Sequence, residues 1–241
     1  MVGPEAPRVI HYGQFGKHVP ALKKRIGQSN GEVYMVVHPF FLGRLNKKID
    51  KREFNKRMES VLSKPENTVF MLIEKGHVET FMNKLGKNLG KAGPFEPKAT
   101  LILVPTPYGR PEPYSREWDE VMWVKATAEL SHKSFGGLAD AIKAIGVRKI
   151  KLGGEEAYFA KYAPQKWPPG LAAKYAKEAE QRDRSDVFKL DPIGGCVGHT
   201  EKSLAVHLPD IEMEYDKKLL FPATWTDPGG RSFDLRKMFG E

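Results

Sequence analysis

Three short, almost continuously apolar runs constrain the fold of this chain more than any other feature. They are VYMVV at 33–37, TVFMLI at 68–73 and TLILV at 100–104. A strand covered on one face alternates apolar and polar side chains, whereas a strand covered on both faces is apolar throughout. The three runs therefore predict central strands of a mainly parallel sheet that lies between two layers of helices.

Segments with helical periodicity separate these runs. Apolar residues recur at helical spacing from Leu42 to Leu62, and a second apolar stripe runs from Val78 to Leu89. Further strands are predicted at 147–152 and 187–190. Because strands and helices alternate, we predict a three-layer α/β/α fold with a Rossmann-like sheet of about five strands.

The C-terminal region shows a different pattern. Ile211, Met213 and Tyr215 alternate with acidic residues, and a short apolar run follows at 219–221. This arrangement is typical of a hairpin, so we predict an antiparallel edge at the C-terminal end of the sheet.

The sequence of 241 residues contains no linker that divides it into two balanced halves. We predict an N-terminal arm at 1–31, a single α/β domain at 32–222 and a C-terminal tail at 223–241. Within the domain, residues 157–186 interrupt the alternation with a Trp-Pro-Pro-Gly turn and a highly charged helical segment. We interpret this segment as a helical insertion or lid.

The composition indicates a globular protein, with 40% hydrophobic and 29% charged residues. No window approaches the roughly 18 consecutive apolar residues that span a bilayer, and residues 1–32 lack the apolar core of a signal peptide. A single cysteine cannot form an internal disulfide. We therefore expect a cytoplasmic protein with no membrane partner. The scarcity of glutamine beside abundant lysine and glutamate favours a thermophilic source.

One glycine-rich turn is the strongest candidate for a functional site. It has the sequence DPIGGCVGHT at 191–200 and contains the only cysteine of the chain. Glycines let backbone N–H groups converge, and Thr200 offers a side-chain oxygen where a helix can begin. The turn is therefore predicted to cradle an anion. The predicted ligand-binding residues here are Gly194, Gly195, Gly198 and Thr200.

Other candidates follow predicted strands, because ligands of parallel sheets bind beyond the carboxyl ends of the strands. Gly153 and Gly154 form a second glycine pair, also assigned to ligand binding. Neither pair matches the dinucleotide fingerprint or the Walker loop, so no cofactor is assigned.

If the protein is an enzyme, Cys196 is the predicted nucleophile, with His199 or His38 as its proton acceptor and Glu155 as the group that orients the base. Each residue also has a structural interpretation. Cys196 can be a small buried side chain, His38 a hydrogen-bonded residue at a strand end, and Glu155 a solvated loop charge.

Two family resemblances concern the cysteine turn. Cys196-Val197, followed by Thr200 and Ala205, resembles the nucleophile segment of isochorismatase-type cysteine hydrolases. Those enzymes carry an aspartate after the first strand, where this chain has His38. The cysteine phosphatase loop is also similar, but its arginine, which is separated from the cysteine by five residues, is replaced here by Lys202. Neither family is assigned.

The net charge of +9 favours an acidic partner. Basic segments occur at 17–25, 47–57 and 84–91, without the signature of a known nucleic-acid-binding motif. Two functions follow as hypotheses. The first is binding of a small anionic or phosphorylated ligand at the strand ends, with hydrolase or transferase chemistry at the Cys/His site. The alternative is a non-catalytic protein that binds nucleic acid weakly through basic helices, with contacts from Lys48, Arg52 and Lys56.

Overall fold

The computed structural model describes residues 7–39, 51–73, 78–106, 135–155, 195–221, 224–226 and 232–234. Its first half contains β1 (Val9–His11), a single 3-10 turn (Tyr12–Gln14), α1 (Phe15–Gln28), β2 (Glu32–Val37), α2 (Arg52–Leu62), β3 (Thr68–Ile73), α3 (Phe81–Asn88) and β4 (Thr100–Pro105). Its second half contains α4 (residues 135–144), β5 (Lys149–Glu155), α5 (Gly195–His207), β6 (Glu212–Phe221), β7 (Thr224–Thr226) and β8 (Ser232–Asp234).

Six of the strands form one parallel sheet in the order β1-β4-β3-β2-β5-β6. From β2 the chain moves to β3 and then β4 on one side. It later returns to the other side of β2, where β5 and then β6 are added. The predicted α/β fold is confirmed, and β2 is the strand at which the direction of sheet growth reverses.

Helices cover both faces of the sheet. On one face, Leu22 of α1, Ile142 of α4 and Val197 of α5 belong to the same buried cluster as Met35 and Leu152 of the sheet. The second cluster, on the other face, joins α2 and α3 to the opposite side chains of the central strands. Its members include Phe54, Met58, Leu85, Tyr34, Val36 and Met71. Burial on both faces explains why β2, β3 and β4 are apolar along nearly their whole length.

The predicted antiparallel edge is wrong, because β6 is a single ten-residue strand that pairs parallel to β5. The pairing register shifts between Leu152–Tyr215 and Gly154–Leu220, so extra residues of β6 form a bulge. Arg57 binds Asp216 of this bulge at 2.6 Å. The charged residues between the two apolar parts of β6 therefore bend a continuing strand and do not reverse it. The antiparallel pair β7–β8 forms a separate two-stranded sheet.

The segment predicted as an N-terminal arm contributes β1 and α1 to the fold. Ile10, Leu22 and Ile26 are fully buried. The helix begins at Phe15, ahead of Pro20, which therefore lies inside it and removes the N–H that would bind a carbonyl one turn earlier.

The division of the chain into domains stays a prediction. The predicted insertion at 157–186 and the predicted strand at 187–190 lie outside the described residues. None of the helices within the described ranges combines the length and apolar character needed to cross a membrane.

Candidate functional site

The carboxyl ends of β2 and β5 lie side by side where the strand order reverses. The last paired residues of these strands are Val37 and Gly154, and one residue further along come His38 and Glu155. In open parallel sheets this reversal opens a crevice between loops that leave in opposite directions. The structure thus brings together two of the predicted site residues from distant parts of the sequence.

Gly153 and Gly154 lie within β5 and allow close packing of the strand. A Cβ atom on Gly153 would lie 2.4 Å from Cβ of Leu219. Gly154 has φ of +141°, and a Cβ atom there would lie 2.2 Å from the carbonyl oxygen of Val37. Both positions therefore require glycine for structural reasons. A ligand-binding role for their backbone groups stays a prediction.

His38 adopts an uncommon backbone conformation, with φ of +48°. Its backbone N–H donates a hydrogen bond to the carbonyl oxygen of Leu72 at 3.0 Å, and the residue is only 6% exposed. Non-glycine residues with positive φ are uncommon, although histidine is enriched among them. Such conformations concentrate at functional sites, so the geometry of His38 supports its assignment to the site without fixing its role.

Glu155 is fully buried and forms an ion pair with Lys51, the residue immediately before α2. The Lys51 ammonium lies 5.2 Å from the ring centroid of Phe221 and 6.0 Å from that of Phe54. The two rings are themselves in contact, with centroids 5.8 Å apart. Removal of one partner of a buried ion pair typically costs about 3–5 kcal/mol. The solvated-charge interpretation of Glu155 is therefore wrong.

Lys51 was not identifiable as a site residue from the sequence. It stands among several lysines and arginines with helical periodicity, and this pattern is typical of an exposed basic face. Only the order of the strands brings the start of α2 next to the end of β5. The sequence does carry a weak signal for its position. Lys51 lies three residues before Phe54, the first buried side chain of the helix, and so lies near the point where the helix meets the sheet.

The helix α5 begins at Gly195, earlier than the start near Thr200 that the sequence suggested. It packs against β5 and β2, and Val197 and Thr200 are fully buried. The backbone N–H groups of the first four helical residues have no acceptor within the helix, and the helix dipole gives this end a partial positive charge. The glycine-rich segment therefore forms a helix start at 195–198, and Gly194 lies outside the described residues.

Cys196 and His199 both lie within α5, three residues apart. Positions three apart on a helix are on the same side, one turn from each other. This placement is compatible with the predicted thiol–imidazole pair. The nucleophile and base roles of Cys196, His199 and His38 stay predictions. Among the described residues, no group of three or more histidine, cysteine, aspartate or glutamate side chains is arranged to hold a metal ion.

The described parts of the basic segments lie on opposite faces of the sheet, since α1 covers one face and α2 and α3 cover the other. Within α2, Arg52 and Lys56 are exposed, and Lys48 lies outside the described residues. Arg57 donates hydrogen bonds to Asp216, which together with weaker charge effects raises the pKa of its guanidinium against the opposing effect of burial. One positive charge of α2, that of Arg57, is therefore paired with a carboxylate of the sheet.

A further set of charges covers the start of β5 and β6. Lys149 binds Glu212 and Glu214 at 2.8 Å each, and Lys151 binds Glu32 at 2.7 Å. Burial lowers the pKa of Lys151. The hydrogen bond to Glu32 and nearby negative charges raise it by more, so the pKa lies above its usual value. These partly exposed pairs each contribute little stability.

The structure therefore gathers His38, Glu155 and the previously unassigned Lys51 at the carboxyl ends of the strands, with α5 packed against β5 and β2. It leaves the side chains of Cys196 and His199 undescribed. No family model, curated protein or solved structure matches the chain.

Proposed function

We propose that this protein binds a small anionic or phosphorylated molecule at the carboxyl ends of β2 and β5. The observation that carries the proposal is the reversal of strand order between these two strands. It coincides with the positive φ of His38 and with the buried charge of Glu155. Crevices at such reversals are the usual ligand sites of doubly wound sheets.

The start of α5 supports the anionic character of the ligand. A helix N-terminus directs N–H groups and partial positive charge toward a bound anion. Gly195 and Gly198 have no side chains that would shield these groups. α5 packs against β5 and β2 and leads into β6, which is parallel to β5, so the helix runs back across the sheet from the side where β2 and β5 end.

We extend the proposal to a hydrolase or transferase reaction at Cys196. A thiol near a helix N-terminus has a lowered pKa and is a better nucleophile. His199 or His38 would accept the thiol proton, and Glu155 would orient the imidazole of His38. A cytoplasmic location belongs to the same proposal, because a lone cysteine remains a free thiol in a reducing compartment.

Titration of the ¹⁵N-labelled protein with inorganic phosphate and then with phosphorylated metabolites tests ligand binding. We expect saturable shifts of the backbone amide signals at 195–200 and at His38. Shifts confined to the exposed lysines and arginines of α2 would contradict the proposal.

Alkylation by iodoacetamide tests the chemistry. We expect Cys196 to react at neutral pH faster than free cysteine and to be protected by the ligand. The His199→Gln variant should slow the reaction if His199 is the base. A rate equal to that of free cysteine in the folded protein would remove the argument for a nucleophile.

A further inference from the structure

The ion pair at the candidate site is asymmetric in its access to solvent. The Glu155 side chain is fully buried, whereas that of Lys51 is 12% exposed. A molecule approaching from solvent can therefore contact the Lys51 side chain and not the carboxylate. An ammonium carries three hydrogen-bond donors. Within the described ranges, Glu155 is the one hydrogen-bond acceptor of Lys51, which leaves donors for a further acceptor.

Two aromatic rings hold the ammonium in place independently of the carboxylate. Lys51 lies within 6.0 Å of the ring centroids of both Phe54 and Phe221. An aromatic face attracts a cation through its quadrupole. The position of the Lys51 ammonium is therefore set by the packing of α2 on β6 as well as by its counter-ion. A change of hydrogen-bond acceptor does not require the lysine to move far.

We infer that Lys51 is the cation that receives the anionic group of the ligand, and that Glu155 is its counter-ion in the ligand-free protein. This inference rests on the proposed function and adds a named residue and a mode of regulation to it. A lysine without a counter-ion is costly in a partly buried environment. Glu155 neutralises it until an oxyanion, such as a phosphate group, shares its donors. Glu155 therefore competes with the ligand for Lys51.

This competition predicts opposite effects for the two members of the pair. In Glu155→Gln the shape of the site is kept and the competing charge is lost, so we expect inorganic phosphate to bind about tenfold more tightly than in the wild-type protein. In Lys51→Met the receiving charge is lost, so we expect binding at least about tenfold weaker. Isothermal titration calorimetry at constant ionic strength measures both dissociation constants.

The double variant Lys51→Met/Glu155→Gln guards against misfolding, because Lys51→Met alone removes the cation that is ion-paired with the buried Glu155 carboxylate. The double variant has no such charge, and we expect it to fold and to bind phosphate as weakly as Lys51→Met. Arg57 and Asp216 supply a matched control, since they form a second ion pair between α2 and β6. Arg57→Met and Asp216→Asn reproduce the two changes of net charge. We expect both to stay within about twofold of the wild-type dissociation constant.

Four results would overturn the inference. If the folded double variant binds phosphate as tightly as the wild-type protein, Lys51 does not receive the anion, although the proposed function survives. If Glu155→Gln binds no more tightly than the wild-type protein, the two groups do not compete. If Arg57→Met weakens binding as much as Lys51→Met, only the overall charge matters. Absence of phosphate binding in every protein, Glu155→Gln included, would remove both the inference and the proposed anion site.

Discussion

Replacement of Gly154 by alanine tests whether close packing of β5 on β2 sets the geometry of the candidate site. Gly154 stands opposite Val37 in the register of the parallel pair. An added Cβ atom would lie 2.2 Å from the carbonyl oxygen of Val37 and 2.5 Å from its nitrogen. These atoms belong to the backbone of a central strand and cannot rotate away as a flexible side chain would.

The expected loss of stability has two parts. The φ of +141° at Gly154 lies in a region that is almost exclusive to glycine, and strain of this kind costs about 1–3 kcal/mol. The collision with the strand adds about 1–3 kcal/mol, as overpacking of a core does. We therefore expect Gly154→Ala to lower the free energy of unfolding by about 2–6 kcal/mol. Such a loss is a large fraction of the stability of an ordinary domain.

Gly146 provides a matched control, because it also has positive φ, at +77°, but an added Cβ atom would meet nothing within 4 Å. Gly146→Ala isolates the backbone strain, which we expect to cost about 1–2 kcal/mol. Urea unfolding followed by circular dichroism and by tryptophan fluorescence measures both variants. If Gly154→Ala and Gly146→Ala are equally destabilised, close contact between β5 and β2 does not limit this position.

Two further predictions concern Tyr215 in the edge strand β6 and the basic residues in and before α2. Burial, and next the contact with Glu201, raises the pKa of Tyr215 above its usual 10.0, so its contribution to stability is complete below pH 10 and is lost as the pH rises further. The Tyr215→Phe variant should lose less stability than the wild-type protein between pH 10 and 11; an equal loss in chemical unfolding would contradict the assignment. The second variant carries glutamate in place of Lys48, Arg52 and Lys56. If α2 is a nucleic-acid-binding surface, duplex binding should fall steeply with salt and should be lost in this variant, whereas non-specific contacts alone give dissociation constants of only about 10⁻⁴ to 10⁻⁶ M. Sub-micromolar binding at physiological salt would favour the nucleic-acid hypothesis over the small-ligand proposal.

The central strands are predictable from the sequence because burial on both faces leaves no position for a polar side chain in the middle of β2, β3 or β4. The C-terminal edge is not predictable in the same way. The Asp216 segment between two apolar parts suits a bulge as well as a turn. The choice depends on a partner, Arg57, that is more than 150 residues away in sequence. A bulge that is stabilised from another element leaves no local signal.

The candidate site is predictable only in part for a related reason. His38 and Glu155 were identifiable because each lies at the end of a predicted strand, and parallel strands end at a common edge. Their adjacency depends on strand order, which hydrophobic periodicity does not encode. Identification of Lys51 as a site residue depends on the same strand order and also on the burial of Glu155. The role of Cys196 is indicated by residue type and by its place in α5, and its chemistry stays a prediction.

The parallel topology also determines when the parts of this site can form. β2, β3 and β4 follow one another along the chain and pair as neighbours. Val37 and Gly154 are joined across more than a hundred residues, and long closures carry a larger entropy cost and slow folding. We expect pulsed hydrogen exchange to show protection of β3 amides before those of β5, and simultaneous protection would contradict this order. During synthesis, the chain therefore contains only the β2 half of the proposed site, with His38. The other half is added when residues 149–207 have been synthesised.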